Sequence, residues 1–211
     1  MIKGEPQIIL LIFILLSGSC NDKKQVPKND KASIVIKKDS IKVQKGDPPV
    51  RPPIINIIDT IADKFTVLYI KDSASSSDRI SQKLAAIYGT RLPDVIKKQK
   101  LEITGPPIAW YKTTKAPFFF EAGLPVNKKP AKLPKGVLVK NIGGDSAVIA
   151  HFYGPYSLTN MGYDALAEWV KDNKKKRKGF PYEIYVTEPV SKDGKSVDPY
   201  KTRTDIVYPR N

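Results

Sequence analysis

The sequence predicts an α+β domain made of two pseudo-symmetric strand-helix-strand-strand repeats, which form antiparallel sheets with a central ligand cleft. The first observation is that residues 179–189, bounded by Gly and Pro, carry a run of aromatic and β-branched residues typical of a strand. The second is that residues 105–113 repeat this layout, with Tyr111 at the place of Tyr185. The third is that a segment with helical periodicity precedes each of the two, as expected of a duplicated unit.

The first repeat begins with a strand and a helix. Residues 65–71 are rich in β-branched and aromatic residues and predict the strand. Ser77 is expected to cap the helix that follows, Gly89 to close it, and Pro93 to start a second, short helix. The apolar residues that recur at helical spacing are Ile80, Leu84, Ile87 and Tyr88.

Two further strands complete the first repeat, and a bridging strand follows. Residues 108–113 and 118–125 are joined by a short polar connection, which predicts a hairpin. After a loop with two prolines, residues 137–139 predict the bridging strand, and the Gly-Gly-Asp turn at 143–145 leads into a strand over 147–153. We expect these last two strands to pair antiparallel.

The second repeat opens with the strand over 147–153. A helix is predicted to begin at Ser157 or Thr159, and strands over 181–187 and 202–209 follow it. One side of that helix is apolar, which places Trp169 in the core. The residues on this side are Leu158, Gly162, Ala165, Leu166 and Trp169.

The start of the chain resembles a bacterial lipoprotein signal. An apolar run over residues 8–16 follows Lys3 and leads through Ser-Gly-Ser to Cys20, the only cysteine. Nine residues are too few for a helix to cross a bilayer, which takes roughly 20, and small residues before a cysteine fit a cleavage site. We therefore expect residues 1–19 to be a signal peptide and Cys20 to be lipidated, which anchors the protein to a membrane of the bacterial cell envelope. The alternative is an uncleaved apolar anchor or a buried strand.

The folded domain is predicted to begin near residue 60. Residues 20–59 are rich in Lys, Asp and Pro, a composition that buries too little apolar surface to offset the entropy of ordering. They are interpreted as a lipidated, flexible tether, and residues 60–211 as the ligand-binding domain.

Charge and composition limit the classes of partner and cofactor that the protein is expected to bind. The formal net charge is +15, and one stretch, residues 171–178, carries six of the cations where a helix should end. One interpretation is that these cations stabilise the end of the helix, because the helix dipole favours positive charge there. The alternative is that they attract anionic lipid headgroups or envelope polymers. Export argues against nucleic acid as a partner. One histidine and one cysteine argue against a Cys/His metal site, and we expect no metal and no cofactor.

Residues 64–211 resemble the GyrI-like small-molecule-binding domains, which include the effector-binding domains of multidrug-responsive transcription activators; the SOUL heme-binding proteins are similar in fold. The motifs that carry the resemblance are Gly-Pro-Pro-Ile-Ala-Trp-Tyr (105–111), Phe-Glu-Ala-Gly-Leu-Pro-Val (120–126), His-Phe-Tyr-Gly-Pro-Tyr (151–156) and Pro-Tyr-Glu-Ile-Tyr-Val-Thr-Glu-Pro (181–189). The resemblance implies two similar halves with a ligand cleft between them. A signal peptide and tether before this domain argue against transcriptional control and gyrase inhibition.

The resemblance also implies a carboxylate in the middle of an aromatic cleft, and Glu183 matches it. The repeat comparison agrees, because the other half has Ala109 at that place. Trp110 alternates away from Tyr111, so both can face the cleft only if the strand is bulged. His151 is expected to be structural rather than a ligand or base, and Glu121 is a secondary acid candidate. The expected ligand-binding residues are Glu183, Tyr185, Tyr111, Trp110, Phe119 and Tyr153.

The sequence leaves two functions open, beside a purely structural role in which the lipidated domain only scaffolds envelope partners. As a monomeric binding module, the domain would capture a small amphipathic molecule, cationic or aromatic, through charge pairing and cation–π contacts with the cleft that contains Glu183. As an enzyme, it would hydrolyse electrophilic xenobiotic or natural-product molecules with Glu183 as acid or base, an activity that the resemblance makes possible.

Overall fold

The computed structural model describes residues 51–191 and 193–211. They form an α+β domain in which three helices pack against one sheet of eight strands. The strands are β1 (Ile54–Ile61), β2 (Phe65–Ala74), β3 (Ile108–Tyr111), β4 (Phe118–Val126), β5 (Leu138–Ile142), β6 (Ser146–Tyr153), β7 (Tyr182–Tyr185) and β8 (Arg203–Pro209). The helices are α1 (Ser77–Ala86), α2 (Leu92–Lys98) and α3 (Thr159–Asp172).

The first helical region differs from the prediction at both ends of α1. Ser76, not Ser77, is the N-cap, since its side-chain oxygen accepts the backbone N–H of Arg79. Gly89 does not end the helix, because a π-helical turn over Ile87–Arg91 continues directly into α2. Pro93 lacks an N–H and would clash with the carbonyl four residues before it in a regular helix. The wider turn accommodates this proline.

The two predicted antiparallel sheets are one continuous sheet. Its strand order is β1-β6-β8-β7-β3-β4-β2-β5, with every neighbouring pair antiparallel. The predicted repeats are β2-α1-β3-β4 and β6-α3-β7-β8, and they meet where β3 pairs with β7. The edge strands β5 and β1 occupy equivalent places at the two ends. The predicted pseudo-symmetry and α+β class are therefore confirmed.

The expected pairing of the bridging strand was wrong. Strand β5 pairs with β2, whereas β6 lies between β1 and β8 in the other half. The link from β5 to β6 crosses between the halves beside the link from β1 to β2. The two links are hydrogen-bonded to each other, Ala62 N–H to the Asp145 carbonyl at 3.0 Å and Gly144 N–H to the Ala62 carbonyl at 2.8 Å. They approach so closely at Gly143, which has a φ of 73°, that a side chain there would overlap the Asp63 carbonyl.

Strand β1 corrects the boundary between tether and domain. Residues 54–59, expected in the tether, form most of this strand and pair with β6 along its length. Ile55 and Ile57 pack on the core cluster under α3. The prolines at 52 and 53 favour an extended tether, and the isoleucines after them come in adjacent pairs, at 54–55 and 57–58, so the sequence shows no strict strand alternation here. The predicted signal peptide (1–19), Cys20 and the rest of the tether up to residue 50 lie outside the described residues.

Three apolar clusters stabilise the domain. One lies between the first half of the sheet and α1 and α2, around Leu68, Ile87 and Phe120. Its counterpart lies under α3, around Phe152 and Leu166, and includes Trp169 as expected. A third, on the sheet face away from the helices, draws residues from both halves and so holds them together. None of the helices in the described part of the chain is both long and apolar enough to span a membrane.

Candidate functional site

The site is organised by the pairing of β3 with β7. Ala109 lies directly opposite Glu183, and Ile108 opposite Ile184. Because side chains alternate along a strand and directly paired residues share a face, Tyr111, Glu183 and Tyr185 all project toward the side that carries the helices. They lie at the junction of the two halves, which is where the sequence predicts the cleft.

A cavity of about 1060 Å³ opens above this junction, between the sheet, α1 and the segment that leads into α3. Its walls are mostly apolar and aromatic, and helix α1 contributes one whole side. The main lining residues are Ile80, Leu84, Tyr88, Pro107, Tyr111, Leu124, Tyr156, Glu183, Tyr185, Val186 and Glu188. A cavity of this size and polarity is typical of sites for small organic ligands.

Glu183 is the buried acid of the cavity, with only 5% of its surface exposed. The Tyr163 hydroxyl donates to its Oε1 atom at 2.9 Å, and Tyr185 lines the same cavity beside it. Burial raises the pKa of Glu183, since removal from water penalises the charged form, and the neighbouring Tyr163 and Tyr185 hydroxyls offset part of that rise. A neutral donor, Tyr163, thus holds the acid in place.

A pair of tyrosines lies beside the acid. The hydroxyls of Tyr111 and Tyr185, which are equivalent in the two repeats, lie 2.7 Å apart, and either can donate the hydrogen bond between them. Burial and the nearby Glu183 raise the pKa of Tyr111 well above its ordinary value, so its hydroxyl stays protonated at neutral pH.

Two more tyrosines complete the aromatic wall around Tyr185. The rings of Tyr88 and Tyr156 meet its ring edge-on, with centroids 6.3 Å and 5.8 Å away. The Tyr88 hydroxyl donates to the Ile108 carbonyl at 2.9 Å, which fixes the ring. The ring faces carry partial negative charge, which attracts cations.

The charge of the cavity is opposite to that of the chain. Two carboxylates, Glu183 and Glu188, line it, and none of its lining residues in the described part of the chain is Lys or Arg. The whole chain has a formal net charge of +15. The cavity is therefore a local acidic, aromatic environment in a basic protein.

Three of the residues expected in the cleft lie on the opposite face of the sheet. Trp110, which is 4% exposed, packs against Tyr69 and Tyr182 and lines a second cavity of about 180 Å³. Phe119 is half exposed on that face, and Tyr153 lies beside Arg203, its partner across β6 and β8. Their expected place in the cleft was wrong because strand alternation turns them away and neither β3 nor β4 is bulged there. Glu183, Tyr185 and Tyr111 do line the cavity.

The structure adds three site tyrosines that the sequence did not single out as site residues. Tyr88 comes from the helical region of the first half, Tyr156 from the turn before α3 and Tyr163 from α3 itself. The sequence predicts Tyr88 on the apolar face of its helix, and Tyr163 lies next to the apolar side of α3. A polar aromatic residue at the border of each apolar helix face was the available signal.

The other weighed residues lie away from the cavity. Nδ1 of His151 lies 2.7 Å from Oδ1 of Asp205 on the opposite face, where Arg203 also binds this aspartate. Glu121, on the same face, lies within 4 Å of the ammonium groups of Lys71, Lys112 and Lys140. Among the described residues, no group of three or more His, Cys, Asp or Glu side chains is arranged to hold a metal ion.

Solved structures are similar to this fold. The C-terminal domain of EcmrR has a TM-score of 0.59 at 19% identity, over 76% of this chain and 97% of that domain. EcmrR in its complex with DNA gives the same TM-score and identity over 75% of this chain, which spans 57% of that longer protein. An uncharacterised conserved protein from Listeria innocua has a TM-score of 0.52 at 13% identity, over 77% and 94% of the two chains. Neither protein-family models nor curated protein sequences match the chain. The chain therefore shares the fold of these structures, which is the GyrI-like fold that its sequence motifs predict.

Proposed function

From this fold and the acidic aromatic cavity, we propose that the protein binds a small amphipathic cation with aromatic character, and that Glu183 is its counter-charge. The observation that carries the proposal is the placement of Glu183: a buried carboxylate at the junction of the two halves, with a tyrosine donor and without a cationic side chain in the same cavity.

Energetics explain why a cation is the ligand that fits. An ionised carboxylate removed from water is costly unless a cation pairs with it. Here burial raises the pKa of Glu183, and none of the described residues that line the cavity is Lys or Arg. A bound cation would supply the missing charge. The surrounding tyrosine rings add cation–π attraction, and the apolar walls accept the rest of the ligand.

The opposite face of the sheet contains an internal example of this chemistry. The Lys140 ammonium lies 2.7 Å from Oε2 of Glu121, 3.2 Å from the centroid of the Trp110 ring and 4.4 Å from that of Tyr69. There, a carboxylate and two aromatic rings hold a cation from the chain itself. The cleft presents a carboxylate and aromatic rings in the same combination, with space where a ligand cation would bind.

Replacement of Glu183 by Gln tests the proposal, because it keeps the shape and removes the charge. Crystal violet, an aromatic cation, and its neutral leuco form serve as matched probes, with affinities measured by fluorescence titration. We expect Glu183→Gln to weaken the binding of crystal violet by roughly 1–3 kcal/mol, the usual cost of losing a charged partner. The affinity for the leuco form should not change. Glu102→Gln, at an exposed acid outside the cavity, is the control. Equal affinity of both variants for the cation would refute the assignment.

Hydrolysis is the second candidate function, and the raised pKa of Glu183 favours it. A carboxyl group with a raised pKa keeps its proton to higher pH, and it can donate that proton to a leaving group or activate a water molecule once ionised. An electrophilic aromatic ester or epoxide incubated with the protein is the test. If the protein is an enzyme, Glu183→Gln keeps its affinity for the probe but loses turnover by roughly 100-fold or more.

We further propose that Cys20 carries lipid and anchors the domain at the bacterial cell envelope. The support is the apolar run over residues 8–16 and the small residues before the single cysteine. Mass spectrometry of membrane-extracted protein should show an acylated cysteine at the N-terminus, and Cys20→Ser should abolish that modification. An unmodified chain that begins at Met1 would disprove the anchor.

A further inference from the structure

A basic loop follows α3 and is fully exposed. Every residue from 171 to 180 is exposed, and this stretch ends in Phe180, with 59% of its surface accessible. Among the described residues, Lys178 is the one cation of the run with an ion-pair partner, Asp145 at 3.0 Å. The basic residues are Lys171, Lys174, Lys175, Lys176, Arg177 and Lys178.

The end of the helix does not account for these charges. Helix α3 ends at Asp172 and Asn173 is its C-cap, so five of the six cations lie beyond the helix. Stabilisation by the helix dipole falls off within the last turn and therefore favours Lys171 alone. Lys174 has a φ of 51°, at the position after the cap where glycine is the usual residue. A cation is present there despite the backbone strain.

The backbone of this loop is fixed, so its side chains face outward from a defined surface. The Lys175 N–H donates to the Val170 carbonyl at 2.9 Å, and the Lys178 N–H donates to the Pro209 carbonyl at 2.7 Å. The Asn211 N–H donates to the Lys176 carbonyl at 3.1 Å. The loop is thus hydrogen-bonded to the helix end on one side and to the residues at and after the end of β8 on the other.

Phe180 gives this surface an apolar component. The Lys112 ammonium lies 4.1 Å from the centroid of the Phe180 ring, on a neighbouring strand connection. The exposed ring therefore lies against the Lys112 ammonium and directly follows the cations of the loop in the chain. An exposed aromatic ring among lysines is the combination that binds the interface of an anionic bilayer, with charges at the headgroups and the ring at the acyl boundary.

We propose that residues 174–180, which we name the basic loop, dock on a bilayer that contains anionic phospholipids, with Phe180 in the interface. This contact is separate from the cleft and from the anchor proposed at Cys20. A soluble polyanion would pair with the lysines but offers no apolar phase for Phe180, so the bilayer is the partner that uses both features of the loop.

The test places an environment-sensitive dye at residue 180 of the full chain, with Phe180→Cys in a Cys20→Ser background so that the label is unique. Vesicles of phosphatidylcholine, with or without phosphatidylglycerol, are titrated. We expect the dye to shift to the blue on the anionic vesicles only, and the shift to disappear at high salt. A dye at Ser75→Cys, an exposed position between β2 and α1, should not respond.

Charge variants separate this loop from the general charge of the protein. The triple change Lys174→Gln, Lys175→Gln and Lys176→Gln should weaken the response of the dye to anionic vesicles by roughly tenfold or more. The matched control, Lys128→Gln, Lys129→Gln and Lys132→Gln, removes three exposed lysines elsewhere and should leave it unchanged. Equal loss in both triples, an equal response at residue 75, or a response to polyphosphate without one to vesicles would overturn the proposal.

Discussion

Ala109 and Glu183 lie directly opposite each other across the pairing of β3 with β7, at the centre of the pseudo-symmetry of the domain. Ala109 and Glu183 are 74 residues apart in the chain, and so are the equivalent residues Tyr111 and Tyr185. A residue and its equivalent therefore meet at this point. Two acids at this point would repel each other, and one would stay protonated. An alanine opposite the acid leaves a single carboxylate at this point.

The stability of the domain should depend on pH through Glu183. Burial raises its pKa above the ordinary value of 4.5, so the native state keeps a proton that the unfolded chain has already lost. Its contribution to stability is complete below pH 4.5 and is lost as pH rises through the native pKa. We therefore expect the free energy of unfolding of Glu183→Gln to increase relative to that of the wild-type protein as pH rises from 4 to 8. Urea unfolding at each pH measures the difference.

The affinity for an aromatic cation should rise with pH, whereas the contribution of Glu183 to stability falls. The cation requires the ionised carboxylate, so its affinity should rise with pH through the same range, and binding should release a proton at any pH where the carboxyl group of the empty cavity is still protonated. Calorimetry in buffers of different ionisation enthalpy measures that proton. Glu183→Gln should show neither the pH dependence nor the release. A flat profile in the native protein would show that Glu183 is already ionised in the empty cavity.

Removal of β1 should destabilise the domain, in contrast to the tether interpretation of its residues. Ile55 and Ile57 are partly buried under α3. Full burial of such a side chain contributes about 1.5–3 kcal/mol, so each of these two contributes a fraction of that. A fragment that starts at residue 62 should melt roughly 10 °C lower than one that starts at residue 51, or fail to fold. Thermal unfolding by circular dichroism compares the two. Equal melting temperatures would mean that β1 adds nothing to the fold.

Gly162 should resist substitution because α3 packs closely on the sheet there. A Cβ atom at this position would lie 2.5 Å from Cδ1 of Ile206, so Gly162→Ala should cost about 1–3 kcal/mol by overpacking, despite the better helix propensity of alanine. Gly89→Ala is the control, since a methyl group at that position would have no neighbouring atom within 4 Å, and it should gain about 0.5–1 kcal/mol. Chemical denaturation gives both values.

Lys174→Gly should stabilise the domain. The left-handed backbone at this lysine costs a residue with a side chain about 1–2 kcal/mol, and the greater entropy of glycine in the unfolded chain offsets about half of the gain. A net increase of up to about 1 kcal/mol is expected by urea unfolding. Lys176→Gly removes the same charge at a residue outside the left-handed region and should instead lose stability. If both variants behave alike, charge rather than backbone conformation decides the outcome.

The sequence by itself determined the local elements and the acid. Periodicity predicted α3 and all strands but β1, because each of those segments carries its own apolar pattern. The 74-residue offset and strand alternation placed Glu183, Tyr185 and Tyr111 on one face, since those relations are properties of a single strand and its repeat.

Only the tertiary structure decided which of those elements pair and pack against one another. Strand β1 is a strand because β6 offers it an edge, and its proline-rich approach gave no local sign of that partner. Tyr88 and Tyr163 reach the acid's surroundings from helices whose position depends on packing over the sheet. Lys140 fills the aromatic site of Trp110 only because β5 crosses to pair with β2. Contacts between residues far apart in the chain are set by the balance of burial over the whole domain, and no local pattern encodes that balance.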